Sequence, residues 1–392
     1  MICSSLNRFP RIFVLLGLLY CLEDSLSSWS SFRGEGHTPT RVQAYFTGET
    51  LDRIVVIYLE TGEFFGPSEV KELKAHAAKT YKEQQQLAKQ ILVAQKQEEG
   101  TVKAKRKAFN EKFAELKTHL QLNMEQVLGI KGKRANVGMD KLSSRVVDFP
   151  YQDLSLRLDV EEEQLIAVTI QRKEDAGRKL LDTRTQSLAG RRKDVKQNVN
   201  IMENGDVVIV NIPMLTQGQR GYCAVGTLAM VAQYYGLEVN VDLLAAKADY
   251  REGDTAQANI RPIYRAAASE AKLNMNETVG FPFWQVKRYI EKGQPVVVWR
   301  AFSQERDDFH SRFAETFRQD PSKTLPDPYK NYRDKENWPT LKTGGHASLI
   351  TGFNKLRKEV LFTESWGEDT RNRRMRIEEM ETTTYRTFFF EP

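Results

Sequence analysis

Cys223 is the residue around which chemistry could be built. It stands in Gln217-Gly-Gln-Arg-Gly-Tyr-Cys223-Ala-Val-Gly-Thr-Leu-Ala-Met-Val-Ala-Gln-Tyr-Tyr-Gly236, where a Gly-rich turn runs into a helical pattern. Ala224, Leu228, Val231, Ala232 and Tyr235 recur at three- and four-residue spacing, which predicts one buried helix face, and Gly236 supplies the stop. A thiol on the first turn of a helix lies at the positive end of the macrodipole, which favours thiolate over thiol. Gln217, six residues upstream, carries an amide that could donate to an oxyanion forming beside the sulfur.

A thiolate nucleophile needs a base within hydrogen-bond reach and a third group to orient that base. The chain has five histidines. His37 falls in a polar leader, His76 and His119 in a Lys/Glu-rich helical region, and His310 in a charged insertion. His346 differs, because it follows Gly344-Gly345 and opens the strand-like run Ala347-Ser348-Leu349-Ile350. Glycines there let a second backbone or a substrate approach the imidazole. The next strand-like run ends in Phe362-Thr363-Glu364-Ser365-Trp366-Gly367. If the two runs pair as a hairpin, Glu364 falls beside His346, where a carboxylate would fix the tautomer and favour imidazolium. Trp366 would shield that contact from water. An ordinary turn carboxylate and a strand histidine without catalytic use are the plainer readings of the same residues.

Together these words resemble the papain-like cysteine peptidases: Gln217-Gly218-x-x-Gly221-x-Cys223, His346 on a strand, then Ser365-Trp366-Gly367. Pro213-Met214, Met230, Tyr234-Tyr235-Gly236 and Gly293-x-Pro295-Val296-Val297 are more similar to the bacteriocin-processing, double-glycine-type branch. The resemblance covers roughly residues 205 to 390, by motif placement. It implies an α+β papain-like catalytic domain, with the nucleophile on a central helix packed on an antiparallel sheet. It also implies Cys223 as nucleophile, His346 as general base and acid, and Gln217 with the Cys223 amide as oxyanion hole. The orienting residue in such families is Asn or Asp, whereas Glu364 stands at that place here and is one methylene longer. No Walker sequence and no transporter segments are found, so a peptidase embedded in an exporter is not expected.

The elements that must position this constellation follow from the rest of the 392 residues, a length that predicts two or three modules. Residues 1–27 read as a signal peptide: basic Arg8 and Arg11, apolar Ile12 to Leu22, then a small-x-small site at Ser25-Leu26-Ser27. The apolar run is about half of what a bilayer span needs, which disfavours an uncleaved N-terminal anchor. Export to the periplasm or outside the cell is therefore expected, with no stable membrane span after cleavage. Of the three cysteines, Cys3 and Cys21 would leave with the signal, so the exported chain would keep one thiol and no internal disulfide. That count also argues against a structural zinc site, and no cofactor is expected.

Residues 28–66 predict a leader and a small β module, with Val42, Ala44 and Phe46 alternating and Ile54 to Leu59 β-branched and aromatic. Residues 67–130 predict a helical arm. Val70, Leu73, Ala77 and Tyr81 form one stripe, Phe109, Phe113, Leu116 and Leu120 another, and Gly100 between them suggests a two-helix hairpin. A solvated helical spacer and a coiled-coil surface for a partner are both open there. Residues 131–200 predict a β-rich connector region with strands at Leu154–Leu158 and Leu165–Ile170, ending in the polar stretch that holds Arg191-Arg192-Lys193. Residues 201–392 predict the peptidase domain, with Pro295 to Trp299 as a central strand and residues 303–340 as an insertion that could cover substrate.

The net charge of +6 is mild for this length, and no basic patch is interleaved with aromatics, so nucleic acid is not an expected partner. The reading is an exported cysteine peptidase that hydrolyses peptide or isopeptide bonds of a peptide or protein through a Cys-His-Glu triad and a thioester intermediate. An acyltransferase or amidase would use the same triad. A non-catalytic papain-like binding module is the alternative from another class, and Glu364 is the feature that favours it.

Overall fold

The computed structural model describes residues 40–47, 50–66, 68–76, 81–138, 140–175, 195–218, 220–236, 239–250, 257–340 and 345–392. The signal segment with Cys3 and Cys21, His37, Arg191-Arg192-Lys193 and Gly344 lie outside the described residues. Among the described residues no helix is long and apolar enough to cross a membrane.

The first half builds a six-stranded antiparallel sheet and a long helix. Strands β1 (Arg41–Thr47) and β2 (Thr50–Glu60) form a hairpin, followed by α1 (Thr61–Phe65), α2 (Glu69–Lys74) and α3 (Tyr81–Leu128). Strands β3 (Lys133–Val137), β4 (Ser144–Tyr151), β5 (Leu154–Glu161) and β6 (Leu165–Arg172) complete the sheet in the order β1-β2-β6-β5-β4-β3. This corrects the reading of residues 28–66 and 131–200 as separate regions. β2 and β6 pair from Arg53↔Gln171 to Glu60↔Leu165, so the helical region is an insertion between two strands of one sheet.

The pairing follows from the sequence pattern once both faces are considered. A strand buried on one face alternates, whereas one buried on both reads as a continuous apolar run. Ile54, Val56 and Tyr58 of β2, with Ile166, Val168 and Ile170 of β6, pack on Phe109, Phe113, Leu116 and Leu120 of α3. Val55, Ile57, Leu165 and Ala167 point the other way, into the core of the second half. The N-terminal sheet is thus sandwiched between its own helix and the C-terminal domain.

The predicted hairpin broken at Gly100 is also corrected: α3 runs unbroken for 48 residues through that glycine. An interior glycine costs about 1 kcal/mol relative to alanine. Burying any one of Phe109, Phe113 or Leu116 is worth about 1.5–3 kcal/mol, so the packing outweighs the break. The antiparallel partner of α3 is instead the short α2, tied on by Ser68 Oγ and Val70 N, which both donate to Glu98 at 3.1 Å.

The second half begins with β7 (Val199–Ile201) and β8 (Asp206–Ile209), then α4 (Cys223–Tyr234), α5 (Val241–Lys247), α6 (Gln257–Glu270), β9 (Asn274–Val279) and α7 (Phe283–Glu291). β10 (Val296–Ala301), α8 (Gln304–Gln319), α9 (Tyr332–Lys335), β11 (Gly345–Asn354), β12 (Glu359–Thr363), β13 (Arg373–Arg376), α10 (Ile377–Thr383) and β14 (Thr384–Glu391) follow. The antiparallel sheet has the order β13-β12-β11-β10-β14-β9, with β8 on the far end of β11 and β7 beside β8. β10 lies inside it, as its unbroken Val296-Val297-Val298 predicts.

Helix α4 differs from the amphipathic helix expected. Every residue from Ala224 to Ala232 is buried. It packs on β10 and β11 below and on α5 and α6 beside it. An apolar all-round helix is what a central position requires.

The insertion between β10 and β11 is held down over its described length. Arg306 of α8 pairs with Asp334 of α9 at 2.8 Å and with Glu379 of α10 at 2.5 Å, and Arg373 of β13 pairs with Asp307. His310, fully buried, reaches the same Glu379 at 3.0 Å. These buried charges hold one another in place and tie α8 and α9 to α10 and β13.

Candidate active site

Cys223 is the first residue of α4, so its backbone N–H lies at the end where a helix presents donors outward. The thiol is half-buried and hydrogen-bonds with the imidazole of His346, which opens β11. On the other side of that ring, Nε2 lies 2.7 Å from Oε2 of Glu364, just beyond β12. With Nε2 committed to the carboxylate, Nδ1 is the nitrogen left for the sulfur. The hairpin argument from sequence therefore places His346 and Glu364 correctly, with Leu349↔Thr363 as the first paired residues of β11 and β12.

Glu364 is fully buried, and burial alone would raise its pKa. His346 first, and then Arg300 and Arg373, pull it down to about 2, so the carboxylate is charged across the neutral range. Burial likewise pushes the His346 imidazole down, but Glu364 and then Cys223 override it and raise the value to about 9. The imidazole is held as imidazolium at neutral pH, which favours a thiolate on Cys223.

Two contributors to this electrostatic frame were missed in the sequence. Arg300 Nη2 donates to Glu364 Oε1 at 2.9 Å, and Ser348 Oγ donates to the same oxygen at 2.7 Å. Arg300 Nε in turn donates to Ser348 Oγ at 2.8 Å. Ser348 is two residues from His346 on one strand, so the two share a face, a signal that alternation could have given. Arg300 is the charged end of the apolar β10 run, and its relevance depends on register: it pairs directly with His346. Phe302 and Trp366 cover the imidazole, with ring centroids 5.2 and 4.8 Å from it, as anticipated for Trp366. Tyr385 is pushed up to about 12 by burial and then by the nearby Cys223.

Gln217 is buried on the loop that leads into α4. Its Oε1 accepts from Ser365 Oγ at 2.6 Å, and its Nε2 donates to the Arg220 carbonyl at 2.5 Å. These bonds fix the orientation of the amide and use one of its two N–H donors. Its backbone N–H donates to the Ser365 carbonyl at 2.8 Å. Gly226, on the first turn of α4, makes the close approach feasible: a Cβ there would sit 2.9 Å from Ser365 Oγ and 3.9 Å from Gln217 Cβ. The structure thus brings Cys223, His346 and Glu364 into one hydrogen-bonded line and packs Gln217 against the first turn of the helix that carries the sulfur. His310 lies in its own buried network with Glu379, and His76 pairs with Glu305 at 3.2 Å near the surface.

Residues 209–389 match the profile of the Peptidase_C39 like family. The C-terminal half is thus a C39-like domain. Two solved structures are similar to this C39-like domain. One, described as a C39-like peptidase from Bacillus anthracis, is 16% identical over 48% of this chain and 98% of its own, with a TM-score of 0.32. The other is the peptidase domain of Streptococcus ComA, a bifunctional ABC transporter involved in a quorum-sensing pathway. It is 14% identical over 46% of this chain and 99% of its own, with a TM-score of 0.30. No curated protein matches the chain. The C39-like domain is preceded by the antiparallel sheet and long helix described above.

Proposed function

We propose that the chain is a cysteine peptidase that hydrolyses a peptide or isopeptide bond through a thioester acyl-enzyme. The observation that carries this reading is the His346 imidazole held between the Cys223 thiol and the charged, buried Glu364 carboxylate 2.7 Å away. In this reading the Cys223 thiolate attacks the carbonyl carbon. Gln217 Nε2 and the Cys223 N–H receive the developing oxyanion. The His346 imidazolium protonates the leaving amine, and the neutral imidazole then activates the water that cleaves the thioester.

In this reading Glu364 stands where such families carry the shorter Asn or Asp, with its Oε2 2.7 Å from His346 Nε2. Arg300 and Ser348 donate to its second oxygen. Export belongs to the same proposal and is supported by the three-part pattern of residues 1–27.

The test is a digest. A denatured protein mixture is incubated with wild type, Cys223→Ala and His346→Ala, and new termini are read by mass spectrometry. New termini should accumulate with wild type and fall by on the order of 100-fold or more in either variant. Undiminished cleavage by Cys223→Ala would rule out the thiol mechanism.

A further inference from the structure

Glu60 ends β2 of the N-terminal sheet and is 2% exposed. Its carboxylate caps α1, accepting from Gly62 N at 2.6 Å and Glu63 N at 3.0 Å. The same two oxygens reach across to the C39-like domain. Oε1 accepts from the Tyr222 hydroxyl, and Oε2 accepts from Arg220 Nη1 at 3.3 Å. Tyr222 is the residue immediately before Cys223, and Arg220 lies three residues after Gln217. The two segments touch closely here: a Cβ at Gly62 would be 2.4 Å from the Tyr222 oxygen.

Arg220 is bound reciprocally to Gln217. Its Nε donates to the Gln217 carbonyl at 2.8 Å, while Gln217 Nε2 donates to the Arg220 carbonyl. Its guanidinium lies 4.5 Å from the Tyr222 ring centre and also pairs with the buried Asp242 of α5. Asp242 in turn accepts from Arg41 at 2.6 Å and Gln43 at 3.3 Å, both on β1. Arg220 in the middle of the Gln217–Cys223 loop and Tyr222 near its end are therefore held by side chains of the N-terminal sheet, and Gln217 is held through Arg220. A buried charge held by several partners has one low-energy placement, and a loop attached to it inherits that placement.

We infer that Glu60 is a positioning residue for the oxyanion loop, acting on Gln217 and the Cys223 amide through Arg220 and Tyr222, so that the N-terminal sheet is a working part of the peptidase rather than an appended module. The inference rests on the proposed roles of Cys223 and Gln217. It separates two reactions of the same thiol. Alkylation by iodoacetamide needs a thiolate but develops no oxyanion, whereas acylation by p-nitrophenyl acetate passes through a tetrahedral oxyanion and needs both.

The experiment compares these two rates in the full chain for wild type, Glu60→Gln, Gln217→Ala and the double variant. Gln at 60 keeps an oxygen for Gly62 and Tyr222 but removes the charge that faces Arg220. Loss of an oxyanion donor outright costs 10²–10³-fold, so its misplacement in Glu60→Gln should slow acylation about tenfold or more. The alkylation rate and its pH profile should stay as in wild type. Adding Gln217→Ala to Glu60→Gln should cost far less than it does in wild type, because both act on one element. Should Glu60→Gln fail to fold, Tyr222→Phe removes a single hydroxyl and should show the same selective loss.

Wild-type acylation rates in Glu60→Gln, or in Tyr222→Phe where that variant stands in, overturn the inference. So does a parallel fall in both reactions with additive Gln217→Ala effects, which marks a purely structural role. A wild-type thiol that alkylates slowly and does not acylate would instead remove the catalytic reading, and this inference with it.

Discussion

Arg300 and His346 sit directly opposite each other on β10 and β11, and both side chains end on the Glu364 carboxylate. A cross-strand pair of cations would repel; here one buried anion, each oxygen assigned to one of them, holds both. The proposed third member of the triad is therefore not a lone carboxylate but the centre of a charge cluster. Its protonation state is fixed by neighbours on three strands or strand ends.

Removing the charge at that centre should be costly. Glu364→Gln keeps a hydrogen-bonding group beside the imidazole but gives up the attraction that raises the His346 pKa to about 9. Peptide cleavage should fall by on the order of 100-fold or more, within the range ascribed to acid–base catalysis. The alkylation profile of Cys223 should move to higher pH. Paired kinetics and iodoacetamide titration of this one variant check both effects.

Removing the arginine should act on stability as well. Arg300→Ala leaves Glu364 buried with one cation fewer, and breaking a buried pair from one side costs about 3–5 kcal/mol. Thermal unfolding should show a drop of that order, while Ser348→Ala, which removes one neutral donor from the same oxygen, should cost about 1–3 kcal/mol.

The pH dependence of stability has two limbs with defined signs. Glu364 is lowered from 4.5 to about 2 in the fold, so its contribution is full above 4.5 and is lost as pH falls from there through about 2. His346 is raised from 6.5 to about 9, so its contribution is full below 6.5 and is lost as pH rises through about 9. Denaturant midpoints measured from pH 3 to pH 10 should show a fall on each side. His346→Ala should abolish the alkaline fall and also weaken the acid one, because His346 is the first of the charges that hold Glu364 down.

Gly226→Ala tests the seat of Gln217. Alanine is favoured over glycine by about 1 kcal/mol in a helix interior, so the helix itself gains. The new Cβ would meet Ser365 Oγ at 2.9 Å, and Ser365 must then shift, taking with it the hydrogen bond that orients the Gln217 amide. Peptide cleavage should fall about tenfold, a fraction of the loss for deleting an oxyanion donor. Iodoacetamide alkylation should be unchanged.

The four proposed catalytic positions were legible because each lies beside a local punctuation mark: a Gly-rich turn at Gln217–Cys223, glycines before His346 and a turn after Glu364. Arg300 and Ser348 were not, since their importance arises from strand register and from whose carboxylate they meet. The N-terminal sheet shows the same limit on a larger scale. Ile54–Leu59 and Leu165–Ile170 were each readable as strands, but nothing local says that they pair across more than a hundred intervening residues. Their continuous apolar character did signal burial on both faces, and the second face belongs to the C39-like domain. Gly100 misled because a residue's intrinsic cost was weighed without the packing of the helix beyond it.

The central claim is that Cys223 and His346 form a thiolate–imidazolium pair, and the rate of iodoacetamide alkylation of Cys223 against pH measures it most directly. In wild type the thiol should react rapidly well below pH 8.5, the ordinary range of about 8.5 for a cysteine, and in His346→Ala it should revert toward that value. A slow thiol titrating near about 8.5 in both proteins would contradict the account. Cys223 would then be a structural cysteine and the domain a binding module on a peptidase fold.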